Sequence, residues 1–558
     1  MHHIFSTETT RPTQFYKKIA VISISLTIFV FMKRDLALML LSVVLLSVGW
    51  LGLSGLTLPI AFVPLLIMSD RAENSRRGWW SMFRKALIVF VLWNAATIWW
   101  IWNATPIGPI AATLFSTFYN LLAFMLYHTV VKKATKALAY TTLVAAWIAT
   151  EYWYTYSDFS WPWLILGNGF SHDVWAVQWY EWTGVMGGSL WVLVANLFIF
   201  EAIRTRTTRK IVAAAVSLLL PICISLGMWF GYEEPSAEKV TVSTIQPNID
   251  CYEKFANTQE YQLHNIFDLL GEVPEGVDFI LLPETAVPGY YWEPTLSEMF
   301  NDQESEVWQA LRNELRTNHP EAMLLTGANT RRYYQPGLAS ETARPIRGSR
   351  GSYDNFNTAV GLDTTSRVQI HHKGKLVIGV ENTPTWVFRL MDFLVIDLGG
   401  VVGQIGIGKH GSAFEHASTR IAPAICYEGV YGQFFGDHVR RGAELTAILS
   451  NDGWWGNTPG FEHLFSISRL RAIEHRRAVV RSANTGRSGF ISPRGDVSST
   501  LGWEERGVLT EEVTLNREQT LYTRYGDYLG RIAKYVMLLC VLYYIAYRVK
   551  RRNYLIDE

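Results

Sequence analysis

Cys426 ends the apolar run RIAPAICYE (420–428), Glu284 ends FILLPE (279–284) ahead of the turn-like TAVPG, and Lys373 lies in HHKGKLVIGVE after the strand-like SRVQI. A thiol, a carboxylate and an amine are the parts of a nucleophilic site. A thiol of ordinary pKa, about 8.5, is mostly protonated at neutral pH, and the thiolate is the form that attacks. A carboxylate beside it can take the proton as general base. An ammonium beside it favours the charge that develops on sulfur, or on the oxyanion of a tetrahedral intermediate. Each residue alone has a plainer reading: a solvated turn glutamate, an inert buried cysteine, a wet loop lysine.

Elements that end near these residues must bring them together. VTVSTIQ (240–246), FILLPE, AMLLTGA (322–328), NTAVGLD (357–363), RIAPAICYE and LTAILSND (445–452) read as strands. Tyr261–Leu270, Glu306–Thr317 and Phe461–Arg476 carry apolar residues at i, i+3, i+4 spacing and read as helices. The alternation predicts a layered α/β domain, in which functional groups sit beyond strand ends. Arg331–Tyr353, rich in Gly, Arg, Ser and Pro, reads as a long surface loop.

The rest of the chain belongs to another solvent. Apolar residues make up 49% of the sequence, with 22 Trp, 26 Tyr and 28 Phe, and the excess lies before residue 230 and near the C-terminus. Stretches near 36–52, 55–69, 86–105, 108–131, 137–155, 184–203, 211–230 and 530–547 suit bilayer-spanning helices, with Pro59 interrupting the second. Every second loop is basic: Lys33 and Arg34; Arg71, Arg76, Arg77, Arg84 and Lys85; Lys132, Lys133 and Lys136; Arg204, Arg206, Arg209 and Lys210; Arg548, Lys550, Arg551 and Arg552. The connections 53–54, 106–107 and 156–183 hold no Lys or Arg. Basic loops stay cytoplasmic, so eight crossings put residues 231–529 outside and the tail inside. Asp158–Tyr180, with Trp161, Trp163, Trp175 and Trp179, is expected at the membrane–water interface, as a headgroup-layer segment or an aromatic belt, flanked by Glu151 and Glu181.

Net charge is +1, which gives no field for nucleic acid or another polyanion. The four cysteines do not form a disulfide framework. A Cys251–Cys426 bridge stays open on sequence, although a free Cys426 suits the site better. The pair His371–His372 is a weak metal signal, since adjacent side chains rarely converge on one ion, and no metal or other cofactor is expected. Residues 1–31, with the short apolar run Ile19–Met32, are expected to be an upstream extension of a protein starting at Met32.

LLPETAVPG, HHKGKLVIGVE, ICYEGVYG and SNDGWWG, in that order and roughly 90, 55 and 25 residues apart, resemble the Glu-Lys-Cys signature of the nitrilase superfamily. With membrane helices on both flanks the chain resembles that superfamily's apolipoprotein N-acyltransferase family over about residues 33 to 550. FSWPWL, TGVMGGSLWVLVAN, IQPNI and RLRAIEHRRAVVRSANTGRSGFISPRGDV are similar to its pattern, as is the Lys373-to-Glu381 spacing. The chain departs from the pattern at Ile378-Gly379-Val380, where many members have Pro-Phe-Gly, at Phe255, often Trp, and at His371, usually Tyr.

The resemblance implies an α-β-β-α sandwich on a bundle of about eight transmembrane helices, divided into a possible extension (1–31), a helical membrane domain (32–235), an extracytoplasmic catalytic domain (236–528) and a last helix with a basic tail (529–558). It implies Cys426 as nucleophile, Glu284 as base and Lys373 as electrostatic partner, with Glu381, Tyr427, Glu428, Trp454 and Phe255 as supporting or substrate-binding residues. The implied partners are a phospholipid acyl donor and a diacylglyceryl apolipoprotein acceptor, met by a monomer in the bacterial inner membrane. A membrane-tethered amidase using water as acceptor, and a non-catalytic lipoprotein-binding scaffold, are the competing readings.

Overall fold

A computed structural model describes residues 33–234, 238–252, 258–293, 305–365, 367–378, 380–382 and 405–554. Residues 1–31, and with them the proposed extension, lie outside the described residues, as does Phe255.

The N-terminal part is helical: α1 (33–47), α2 (Leu58–Ala61), α3 (Val63–Arg71), α4 (Arg76–Ile98), α5 (Gly108–Val131), α6 (Lys136–Tyr156), α7 (Tyr180–Thr183), α8 (Val185–Thr205) and α9 (Thr208–Phe230). Among the described residues, five helical stretches are long and apolar enough to cross a bilayer: Arg76–Asn103, Gly108–Val131, Val185–Thr205, Thr208–Phe230 and Tyr528–Arg551. The other three expected spans differ for visible reasons. The first is a helix of 15 residues closed by a 3-10 turn at Val48–Trp50. The second is split at Phe62 into α2 and α3, each opening with a proline in its first turn, where the missing N–H costs nothing. The third, α6, has 21 residues, and its Thr, Tyr and Trp content and Glu151 lower its apolarity.

Asp158–Tyr180 packs against the rest of the protein, with Trp163 and Trp179 buried and Trp161 and Trp175 half-buried. It folds into short 3-10 turns at Pro162–Leu164, Leu166–Phe170 and Val174–Ala176, with Trp163, Leu166, Phe170 and Val177 buried. Trp163 lies against Trp100 (5.0 Å between ring centroids) and stacks on Tyr427 (6.5 Å). The segment is thus a plug between the helices and the α/β domain. Glu151 faces inward and accepts the Leu166 N–H (2.9 Å) and Trp147 Nε1–H (3.1 Å), tying the plug to α6. Glu181 pairs with Arg476.

The remainder forms two sheets: β1 (Lys239–Gln246), β2 (Phe279–Leu281), β3 (Val287–Trp292), β4 (Met323–Tyr334), β5 (Arg344–Pro345), β6 (Ser352–Leu362) and β7 (Val368–His372) with β14 (Gly507–Thr514) in one; β8 (Phe414–His416), β9 (Thr419–Ile425), β10 (Leu445–Ser450), β11 (Val479–Ala483), β12 (Ser488–Ile491) and β13 (Val497–Leu501) in the other. The first runs β14-β1-β2-β4-β6-β5, the second β13-β12-β11-β10-β9-β8. The β1-β2-β4 and β9-β10-β11 pairings are parallel, which buries both faces and explains the near-continuous apolar runs.

Alternation along each strand sorts its side chains between layers. Phe279 and Leu281 meet Ile421, Ile425 and Leu449 of the other sheet in one core. Ile280 and Leu282 turn outward under α10 (Gln259–Leu270) and α11 (Ser305–Asn318), through Ile266, Leu269, Leu311 and Leu315. On the opposite face Ala424, Ile448 and Val479 pack against Phe435 of α12 (Gly432–Arg440) and Phe465 and Ala472 of α13 (Pro459–His475). The result is four layers, α-β-β-α. The chain then passes through α14 (Leu521–Tyr525) into α15 (Tyr528–Tyr554), which packs along α6.

Arg331–Tyr353 is not wholly loop. β4 and β6 continue into it as an antiparallel arm, pairing Arg331 with Asn355 and Tyr334 with Ser352. Its loop-like composition hides ring partners from other strands: the Arg331 guanidinium lies over Tyr290 (4.7 Å) and Tyr353 (5.7 Å).

Candidate active site

Three strand ends converge. Cys426 follows β9 and opens a 3-10 turn, Cys426–Val430, with φ of +46°. That left-handed backbone is sparsely populated by residues bearing a Cβ and recurs at functional sites. Glu284 follows β2, and Thr285 after it has φ of +49°. β4 passes so close that a Cβ on Gly327 would lie 2.6 Å from Glu284 Cα, so glycine is required there. Lys373 follows β7, its backbone N–H donating to the Asn357 carbonyl (2.9 Å).

Lys373 Nζ lies 2.8 Å from Glu284 Oε1 and 2.8 Å from Glu381 Oε1, with only 1% of its side chain exposed. Asn357 Nδ2 donates to the same two oxygens, at 2.7 and 3.2 Å. The Asn451 N–H donates to Glu284 Oε2 (3.1 Å), and the Val377 N–H to Glu381 Oε2 (2.8 Å). Burial alone would push the Lys373 amine down. The Glu284 and Glu381 carboxylates, with a smaller contribution from Cys426, hold it well above its ordinary value, as a fixed cation. The Cys426 thiol is pushed up to about 12, first by burial and then by the Glu284 carboxylate, with Lys373 opposing. The resting group is a neutral thiol under the electrostatic influence of a carboxylate and a cation.

Glu428 is held under this site. It accepts the Gly374 N–H (2.5 Å) and the Ile425 N–H (2.7 Å), and His371 Nε2 lies 3.1 Å away. Burial would raise its pKa; His371, then His438, keep it below the ordinary carboxylate range. The carboxylate therefore fixes the lysine loop to the cysteine strand. His371 and His372 diverge, as neighbours on a strand must: His372 Nε2 faces Glu293 (3.0 Å) and Arg332 (2.8 Å). Ligand-type atoms of His371, Glu428 and His438 do lie within 4.8 Å of one another, in a cluster where Glu428 already serves two backbone N–H groups.

Tyr427 is buried beside Cys426, stacked on Trp161 and Trp163. Trp454 meets Tyr252 edge to face (5.4 Å), and Tyr252 donates to the Asn103 carbonyl (2.8 Å), so this ring joins the domain to the helices. No disulfide joins Cys251 to Cys426, which removes the bridge left open on sequence. Two features escaped sequence reasoning. Asn357 lay inside a strand-like run with nothing to mark it. Arg481 and Asp452, both fully buried, form a bidentate pair at 2.7 Å with Ser450 attached; their signal was a charge within each of two apolar contexts, RRAVVRSAN and AILSND.

The Carbon-nitrogen hydrolase family matches residues 241–522, more than half of the chain, and the Apolipoprotein N-acyltransferase N-terminal domain matches residues 38–198. The apolipoprotein N-acyltransferase of Chlorobaculum tepidum is 29% identical over 484 residues, 84% of this chain and 88% of that protein. That of Gloeobacter violaceus is 25% identical over 512 residues, 88% of this chain and 89% of that protein. With a thiol, a carboxylate and an amine gathered at the strand ends of a four-layer sandwich set on apolar helices, the chain belongs to the carbon-nitrogen hydrolase family, in its apolipoprotein N-acyltransferase branch.

Proposed function

We propose that the protein transfers an acyl chain from a membrane phospholipid, through a thioester on Cys426, to the α-amino group of the diacylglyceryl-cysteine that begins an apolipoprotein. The observation that carries this is the ion pair of Lys373 with Glu284, in electrostatic contact with Cys426, in a family whose relatives bear that name. Glu284 takes the thiol proton as sulfur attacks the ester carbonyl, and Lys373 meets the charge on the tetrahedral oxyanion. The proton then goes to the departing glycerol oxygen, releasing lysophospholipid. In the second half-reaction the acceptor amine attacks the thioester, Glu284 removes its proton, and the departing sulfur takes that proton from Glu284, which restores the thiol and the carboxylate. Such a covalent intermediate implies ping-pong kinetics. Glu381 and Glu428 hold the lysine and its loop.

In this reading the chain crosses the bilayer eight times, with α1, the α2–α3 pair and α6 joining the five long apolar helices; the basic loops stay within and the catalytic domain lies outside the cytoplasm. Both lipid-anchored substrates then meet the site in one leaflet. A single chain carries the whole site.

Intact-protein mass spectrometry after incubation with a defined phospholipid tests the reading. A mass gain of one acyl chain, absent in Cys426→Ala and discharged onto a diacylglyceryl peptide, is expected. Discharge to water alone would favour the amidase, and no adduct would favour the scaffold.

A further inference from the structure

Lys375, two residues beyond Lys373, is a half-buried ammonium with no carboxylate partner among the described residues. Its Nζ lies over the rings of Tyr431 (5.1 Å), Phe434 (5.6 Å) and Tyr156 (5.9 Å). Lys373, Arg471, Arg476 and Arg481 each hold a carboxylate. The three rings offset part of the desolvation by cation–π attraction, but a charge withdrawn from water calls for a counter-charge.

Tyr156 is the last residue of α6, and the start of α15 runs beside it. There Arg531 donates to the Tyr525 carbonyl and to Gln433 Oε1 (3.5 Å), and Lys534 lies over Tyr152 (4.7 Å). Neither has a carboxylate partner among the described residues. Asp527 is nearby, but it accepts from the Tyr156 and Tyr522 hydroxyls (2.5 and 2.7 Å). Glu428, which also acts on Lys375 electrostatically, is taken up by two backbone N–H groups and His371. Three unpaired cations thus stand at the ends of α6 and α15 that adjoin the catalytic domain. This is the side opposite the basic loops, so the orientation rule for Lys and Arg does not explain them.

We propose that Lys375, with Arg531 and Lys534, forms the subsite for the phosphodiester of the acyl donor, holding that group at the membrane boundary while the adjoining ester reaches Cys426. Tyr431, under Lys375, contacts Tyr427 (5.3 Å between centroids), the chain neighbour of Cys426, so two rings in contact link the cation to the proposed nucleophile. The donor carries a negative phosphate and the acceptor a positive amine. A cationic subsite therefore favours the first over the second in the empty enzyme, which puts donor binding ahead of acceptor binding.

The inference rests on the proposed acyl transfer, and the test separates the two. Full-length protein in mixed micelles is given either phosphatidylglycerol or an uncharged 4-nitrophenyl ester of the same acyl chain, and adduct formation on Cys426 is timed. Lys375→Met and Arg531→Gln, made singly, should each lower the ratio of phospholipid rate to ester rate by about tenfold, as loss of one charge-assisted contact predicts, and Lys375→Arg should restore it. An unchanged ratio, including one in which phosphatidylglycerol still binds, or an equal fall for both donors, would overturn the subsite while leaving acyl transfer standing. Wild-type protein that forms an adduct with the ester but none with phospholipid would overturn the acyl-transfer reading, and the subsite with it.

Discussion

Asn357 donates through Nδ2 to Glu284 Oε1 at 2.7 Å, the same oxygen that Lys373 holds at 2.8 Å. The Glu284 carboxylate, the proposed general base, is thereby fixed from two directions, while its other oxygen takes the Asn451 N–H. Misplacing a reacting group by about 1 Å costs on the order of 10²-fold in rate. Asn357→Ala is expected to slow adduct formation on Cys426 by about that factor. Asn357→Asp should be worse, since it sets a third carboxylate beside Glu284 and Glu381. Stopped-time mass spectrometry of the acylated fraction measures both.

The Cys426 thiol predicts an unusual response to pH. With its pKa raised to about 12, by burial and then by Glu284, it is neutral throughout the ordinary range. Its alkylation by iodoacetamide should rise about tenfold per pH unit from 7 to 10, with no levelling near 8.5. Glu284→Gln removes the neighbouring negative charge, so the thiol pKa falls and alkylation at pH 8 quickens. The same variant loses the general base, and acylation by phospholipid should slow by about 10² to 10⁴. Opposite movement of the two rates is the expected signature; acylation left unchanged in the variant would argue against Glu284 as base.

Arg481 and Asp452 are both fully buried. Removing one member strands the other, at a cost of about 3–5 kcal/mol. Asp452→Ala should therefore lower the thermal midpoint sharply. Arg420→Ala, which breaks a half-exposed pair with Glu415, should cost no more than about 1 kcal/mol. Thermal unfolding in detergent compares them.

Trp163 joins three parts of the molecule, touching Trp100, Tyr427 and His463. Trp163→Ala should destabilise by about 3–5 kcal/mol, as deletion of a buried aromatic side chain does. It should also slow acylation, because Tyr427 next to the nucleophile loses the ring on which it stacks. Melting temperature and adduct rate read the two effects separately.

The amino-acid sequence by itself determined the reactive residue types, the apolar runs that end in them, five of the eight expected bilayer-length helices and the alternation of basic loops. Each is a local pattern whose period or composition follows from backbone geometry and from the solvent the segment must meet. Only the tertiary structure decided which side chains touch. Glu284, Asn357, Lys373 and Glu381 converge because β2, β4, β6 and β7 pair in one register, and a shift of one residue would turn every side chain to the other face. The same cause hid the packing of the Asp158–Tyr180 plug, the arm within 331–353 and the Arg481–Asp452 pair. Their partners lie far along the chain, and distance in sequence leaves no periodic trace.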